Sequence, residues 1–122
     1  ITLVGRVDRE VLREYYRAAD VFLYPTRHEG SPRVVKEALG VGCPVVCSDV
    51  PGIRMIDPDE QSLIYCTKNQ PEEYVPTVLK LLVDAEYRRK RIAATEAILA
   101  DLEPDRVISK IISFYDKLFE MA

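Results

Sequence analysis

Two glutamates eight positions apart, Glu29 and Glu37, bracket the stretch EGSPRVVKE. An ionised carboxylate can accept two hydroxyl donors, as a ribose or another sugar would offer. Between the two acids the chain passes from a loop into the start of a helix. The free N–H groups of a first helical turn and the helix dipole favour an anion by typically ~0.3–1 kcal/mol, with roughly 1.5–3 kcal/mol more for each charge-assisted hydrogen bond. The spacing therefore describes a cradle for an anion with a carboxylate on either side, which suits a phosphate carrying sugars and needs no metal.

The elements that must position these residues are legible around them. Val21-Phe22-Leu23-Tyr24 is a short apolar run ended by Pro25 and reads as a buried strand opening into the loop Thr26 to Gly30. Ser31 is a good N-cap, and Pro32 suits the first helical position because its φ is preset and its missing N–H had no partner there. A helix is expected over Pro32–Val41. Val34, Val35, Ala38 and Leu39 share its inward face, Glu37 lies at the edge of that face, and Lys36 points away. Gly42 and Pro44 stop it. On spacing alone, Glu29 as an ordinary loop acid and Glu37 as a solvated flank residue remain the alternative. His28, the one histidine, is either a sugar or phosphate contact or a loop residue without duty. Arg27 and Arg33 flank the cradle, as phosphate ligands or as surface charge.

The run ADVFLYPTRHEGSPRVVKEALGVGCPVVCSDVPGIR resembles the donor-binding signature of the retaining, nucleotide-sugar-dependent glycosyltransferases of group 1, also called family four. The corresponding parts are the strand Val21 to Pro25, the Glu-x7-Glu pair Glu29 and Glu37, the small-residue helix Ala38 to Gly42, Gly42-Cys43-Pro44-Val45-Val46, and the turn Asp49-Val50-Pro51-Gly52. Ile1-Thr2-Leu3-Val4-Gly5 is similar to the preceding strand, and Pro71-Glu72-Glu73 to Tyr87 to a later helix.

The resemblance implies a partial GT-B C-terminal domain, with Glu29 contacting the transferred sugar near the reacting centre as the catalytic residue and Glu37 holding the ribose. Backbone N–H groups of Gly30, Ser31, Arg33 and Val34, with His28 beside them, would receive the diphosphate and sugar. It further implies a nucleoside diphosphate sugar as substrate, no cofactor, no metal, and an acceptor that is a glycan, lipid or small molecule. Two departures bear on the donor: Gly30-Ser31-Pro32 replaces the common Gly-Phe-Gly and removes an N–H at Pro32, and Met55 replaces an acid. A non-catalytic nucleotide-binding or oligomerisation module and a related nucleotide-sugar epimerase are the alternatives.

At 122 residues the chain is at most one domain, residues 1–122, with 104–122 as a C-terminal crossover-type helix. The family uses two Rossmann-like domains with the site between them. Ile1 is not a start methionine, and the sequence enters at what resembles a third strand. The expectation is a fragment, inactive alone, without the upstream basic pair and the acceptor domain.

The expected fold class is α/β, a Rossmann-like parallel sheet of about four strands flanked by helices. Strands are read at Ile1–Val4, Val21–Tyr24, Val45–Ser48 and Leu63–Tyr65. Helices are read near Arg9–Arg17, Pro32–Val41, Glu72–Val83, Glu86–Ala100 and Asp105–Phe119. Asp8 would cap the first helix, whose core stripe is Val11, Leu12, Tyr15 and Ala19, and Pro76 should kink or restart a later one. If the segment Ile1–Val4 belongs two strands away from Val21–Tyr24, an open edge results, and a dimer is expected.

Hydrophobic residues make up 48% and charged residues 30%, ordinary for a folded domain. A net charge of −3 argues against nucleic acid as partner. No apolar run approaches the ~18 residues of a membrane span and no signal pattern is present, so a cytoplasmic setting is expected. Arg88-Arg89-Lys90-Arg91 reads as a solvated helix face or, with a lipid acceptor, as a peripheral membrane contact. Cys43, Cys47 and Cys66, odd in number and set in or beside apolar strands, read as small core residues.

Overall fold

Four consecutive buried residues, Val45 to Ser48, dictate the layering. A strand buried on both sides needs cover above and below, which parallel strands with crossover helices provide. A computed structural model describes residues 1–120 and shows this arrangement. Three strands, β1 (Phe22–Tyr24), β2 (Val45–Ser48) and β3 (Ile64–Cys66), lie parallel in the order β1-β2-β3. Leu23 pairs with Val46, and Val46 in turn with Ile64. Six helices accompany them among the described residues: α1 (Arg9–Ala18), α2 (Arg33–Gly40), α3 (Pro51–Arg54), α4 (Pro71–Val83), α5 (Ala85–Asp101) and α6 (Pro104–Glu120).

The period of two along β2 divides the core. Val45 and Cys47 join Tyr16, Val35, Leu39, Ile53 and Leu63 on the side covered by α1, α2 and α3. Val46 turns to the other side, against Ile64, Cys66, Tyr74 and Leu81 under α4. All three cysteines are buried and unbridged, as the sequence reading expected. Helix α2 ends as Gly42 takes φ +76°, a left-handed conformation suited to glycine, while the Gly42 and Cys43 N–H groups bond back to Leu39 and Ala38.

Several expectations are corrected. Ile1–Val4 is not a strand, and Ile1, Leu3 and Val4 are exposed. A strand exists only by pairing, and this segment pairs with nothing in the sheet, which therefore has three strands and leaves the outer edge of β1 open. On α1 the inward stripe is Leu12, Tyr16 and Ala19, whereas Val11 and Tyr15, one position round, face outward. Helix α2 starts at Arg33 with Pro32 as its cap; Ser31 instead accepts the Lys36 ammonium at 2.7 Å. Asp8 is the N-cap of α1 by position but its side chain makes no capping bond. Helix α4 runs unbroken through Pro76; only the Glu72 carbonyl loses a donor there, and both residues are exposed. The basic run on α5 is not uniformly solvated, because Arg91 donates to the Glu60, Gln61 and Leu63 carbonyls and lies over the Tyr87 ring. Every residue of α6 is exposed, so the apolar stripe Val107, Ile108, Ile111, Ile112, Tyr115, Leu118 and Phe119 faces outward. That stripe and the open β1 edge are the surfaces on which the dimer expectation rests.

Asp57 fastens the turn that precedes β3. Its carboxylate, 2% exposed, accepts from the N–H groups of Gln61 at 3.1 Å, Ser62 at 2.8 Å and Leu63 at 2.7 Å. Asp57→Ala would leave at least two buried donors unpaired, at about 1–3 kcal/mol each. A loss above about 2 kcal/mol in urea unfolding is expected, and an unchanged midpoint would contradict this role.

Candidate functional site

The carboxyl ends of the three strands are tied together by one polar network. Thr26 follows β1 and donates its N–H to Ser48 Oγ, at the end of β2, at 2.7 Å. Ser48 Oγ lies 3.0 Å from Asn69 Oδ1 and 2.8 Å from the Tyr74 hydroxyl, and Tyr74 donates to the same Asn69 oxygen at 2.7 Å. Asn69 closes the loop by donating to the Thr26 carbonyl at 3.2 Å. Buried polar groups must be satisfied, so this network fixes where the chain leaves β1. The segment that leaves is Arg27 to Gly30, carrying Glu29.

Glu29 is held from two further directions. The Tyr24 phenol donates to Glu29 Oε1, and the carboxylate acceptor, with some burial, pushes the Tyr24 hydroxyl up to about 12. Beneath the loop lies the buried Gly52 of α3. A Cβ there would fall inside the carbonyl oxygens of Glu29 and Gly30 and 2.6 Å from the Glu29 carbonyl carbon. The Asp-x-x-Gly turn thus acts as a seat for the loop. Asp49, at the head of that turn, is gripped by Arg54 through Nε at 2.7 Å and Nη2 at 2.6 Å, and these bonds hold its carboxyl below the usual range. Arg54 also lies over Tyr65, 4.3 Å from the ring centroid.

The two glutamates of the motif open into different concavities. Glu29 lines a hollow of about 410 Å³ with Arg27, His28, Gly30, Val50 and Pro51. Glu37 lines a groove of about 370 Å³ between α1 and α2, with Arg9, Leu12, Arg13, Tyr16, Arg33 and Val41 around it. The amino end of α2 borders the groove through Arg33 and follows in sequence on the loop that lines the hollow; its first turn has no side-chain cap and so keeps its N–H groups available. The structure therefore brings His28 and Gly30 to Glu29, and Arg33 to Glu37. Ser31 is exposed and engaged by Lys36. Val34 packs its side chain on the core, leaving only its backbone to serve a ligand.

Sequence reasoning missed four residues. Arg9 and Arg13 line the Glu37 groove, and among the described residues neither they nor Arg33 is engaged in an ion pair. Their i, i+4 spacing on α1 was the available signal. Tyr24 and Gly52 act on Glu29 through contacts that no local pattern encodes.

Any side chain at position 52 must displace the backbone that carries Glu29. Gly52→Ala is expected to shift the amide resonances of Arg27 to Gly30 and to cost about 1–3 kcal/mol, the range for overpacking a filled site. Unmoved resonances would show that the loop is not seated on Gly52.

Comparison with known proteins gives the family of the chain. The model of the glycosyl transferases group 1 family matches residues 1–84. A D-inositol 3-phosphate glycosyltransferase of Thermomonospora curvata is 38% identical over 84 residues, 69% of this chain and 19% of that protein. An uncharacterised glycosyltransferase of Methanocaldococcus jannaschii is 26% identical over 122 residues, 99% of this chain and 31% of its own length. Among solved structures, sucrose-phosphate synthase from Thermosynechococcus elongatus superimposes with a TM-score of 0.79 at 25% identity, covering 99% of this chain and 31% of that one. The chain thus spans less than a third of each of these proteins, and in fold and sequence it belongs to the glycosyl transferases group 1 family.

Proposed function

We propose that this chain is the nucleotide-sugar-binding part of a retaining glycosyltransferase, which moves a sugar from a nucleoside diphosphate to an acceptor hydroxyl. The observation that carries the reading is that the two glutamates line separate concavities, one bordered by the loop before an uncapped helix start and the other by Arg33 at that start. In this reading the ribose hydroxyls bond to Glu37 in the groove, where Arg9, Arg13 and Arg33 supply positive charge. The diphosphate crosses the first turn of α2, on the N–H groups of Arg33 and Val34. The sugar then lies in the hollow, against Gly30 and His28, with Glu29 near the carbon that changes partners.

The chemistry follows from where charge develops. As the sugar–phosphate bond breaks, negative charge grows on the leaving diphosphate, and fixed N–H donors and guanidinium groups stabilise it without reorganising. That supplies the electrostatic role a metal would otherwise take. Glu29 faces the opposite charge, the cationic character that builds on the sugar ring. Retention follows if the acceptor hydroxyl attacks from the face that the diphosphate leaves. Positioning of donor and acceptor supplies much of such a rate, and the acceptor lies outside the elements described above.

Two measurements test this. Glu37→Ala should weaken a ribonucleoside diphosphate by roughly 10-fold or more, the scale of a lost charge-assisted hydrogen bond, yet hardly affect free pyrophosphate. Equal loss for both ligands would make Glu37 structural. The purified 122-residue chain should turn over no nucleotide sugar above a Glu29→Ala control, and turnover above that control would contradict the division of labour proposed here.

A further inference from the structure

Glu29 has one internal hydrogen-bond partner among the described residues, and that partner is a tyrosine at the end of a strand. Tyr24 closes β1, in register with Cys47 on the fully buried β2. Its ring stacks on Phe22, with centroids 5.6 Å apart, and Phe22 meets the edge of the buried Tyr16 at 5.2 Å. The phenol is thus the outer end of an aromatic ladder anchored in the core. A rigid ring of two side-chain torsions is well suited to fixing a hydrogen bond, because little freedom remains to be lost.

The bond is specific in its use of atoms. The phenol donates to Oε1 of Glu29, and among the described residues nothing donates to Oε2. With the backbone below seated on Gly52, the carboxylate is held by its main chain and by one oxygen, and the second oxygen is left for the hollow that His28 and Gly30 line. We propose that Tyr24 is a positioning residue, whose phenol aims Glu29 so that its free carboxylate oxygen meets the sugar of the donor. The role rests on the reading of the hollow given under Proposed function. It differs from a strut for the loop, since the loop is already tied by the Thr26 N–H bond to Ser48 and by the contact with Gly52.

The test compares Tyr24→Phe, Glu29→Gln and the double variant of the whole chain. UDP-glucose and GDP-mannose serve as sugar-bearing probes, with UDP and GDP as their sugarless counterparts. Each single variant is expected to weaken one sugar-bearing probe about 10-fold while changing its sugarless counterpart less than 2-fold, and the double variant should be no weaker than the singles, as groups acting as a unit are. Unchanged sugar-nucleotide binding in Tyr24→Phe, or losses that multiply in the double variant, would overturn the proposal. A ligand-free measurement separates this from the donor reading. With tyrosines labelled at Cζ, the NMR signal that Tyr24→Phe removes should titrate at about 12 in the unaltered chain and fall toward the ordinary value of about 10 in Glu29→Gln, with circular dichroism confirming the fold at each pH. An unshifted signal overturns the proposal by itself. A shifted signal in a chain that binds none of the probes overturns the donor reading, and the positioning role with it.

Discussion

The site depends on a backbone-to-backbone approach that only a glycine allows. Gly52 lies so close under the Glu29 and Gly30 carbonyls that a methyl group would overlap both. This contact lets the turn after β2 pack directly against the loop after β1, and the Ser48–Asn69–Tyr74 network extends the same linkage to the loop after β3. Three strand ends thereby become one surface, and a loop that would otherwise be mobile acquires a fixed address for Glu29. Loops positioned by a rigid scaffold are where binding groups are expected in such folds.

Electrostatics then divides that surface. Arg9, Arg13 and Arg33 gather on the Glu37 side, where the groove has an apolar wall of Leu12, Tyr16 and Val41. Arg27 and His28 stand on the Glu29 side in a smaller set, with Gly30, Val50 and Pro51 for walls. The other basic groups are largely occupied elsewhere: Arg54 holds Asp49, and Arg91 braces the turn before β3. A protein of net charge −3 thus keeps uncommitted guanidinium groups beside these two concavities, and such groups are suited to phosphate and carboxylate.

How much of this was legible in the sequence depended on the range of the interactions. Strand β2 was readable because Val45 to Cys47 is apolar without interruption, with Pro44 before it and Ser48 and Asp49 after. Helix α2 was readable from its inward spacing, to within the single residue by which Ser31 and Pro32 were misassigned. Ile1–Val4 carries an equally good strand pattern and fails, because pattern cannot supply a partner. On α1, Val11 with Tyr15 and Leu12 with Tyr16 have the same spacing, and only packing against Phe22 and the sheet selects the second pair. The Glu-x7-Glu spacing singled out both acids as candidates, but could not show that they line different concavities. Nor could it show that Tyr24 grips Glu29 or that Gly52 supports it, since these contacts join residues from different elements.

The central claim is that one ligand spans both concavities across the start of α2. An amide NMR titration of the labelled chain with a nucleoside diphosphate sugar tests this directly. The account predicts a contiguous set of shifted resonances running from His28, Glu29 and Gly30 through Arg33 and Val34 to Glu37 and Arg13, with α4, α5 and α6 unmoved. Shifts confined to one concavity, or centred on α5 and α6, would contradict it.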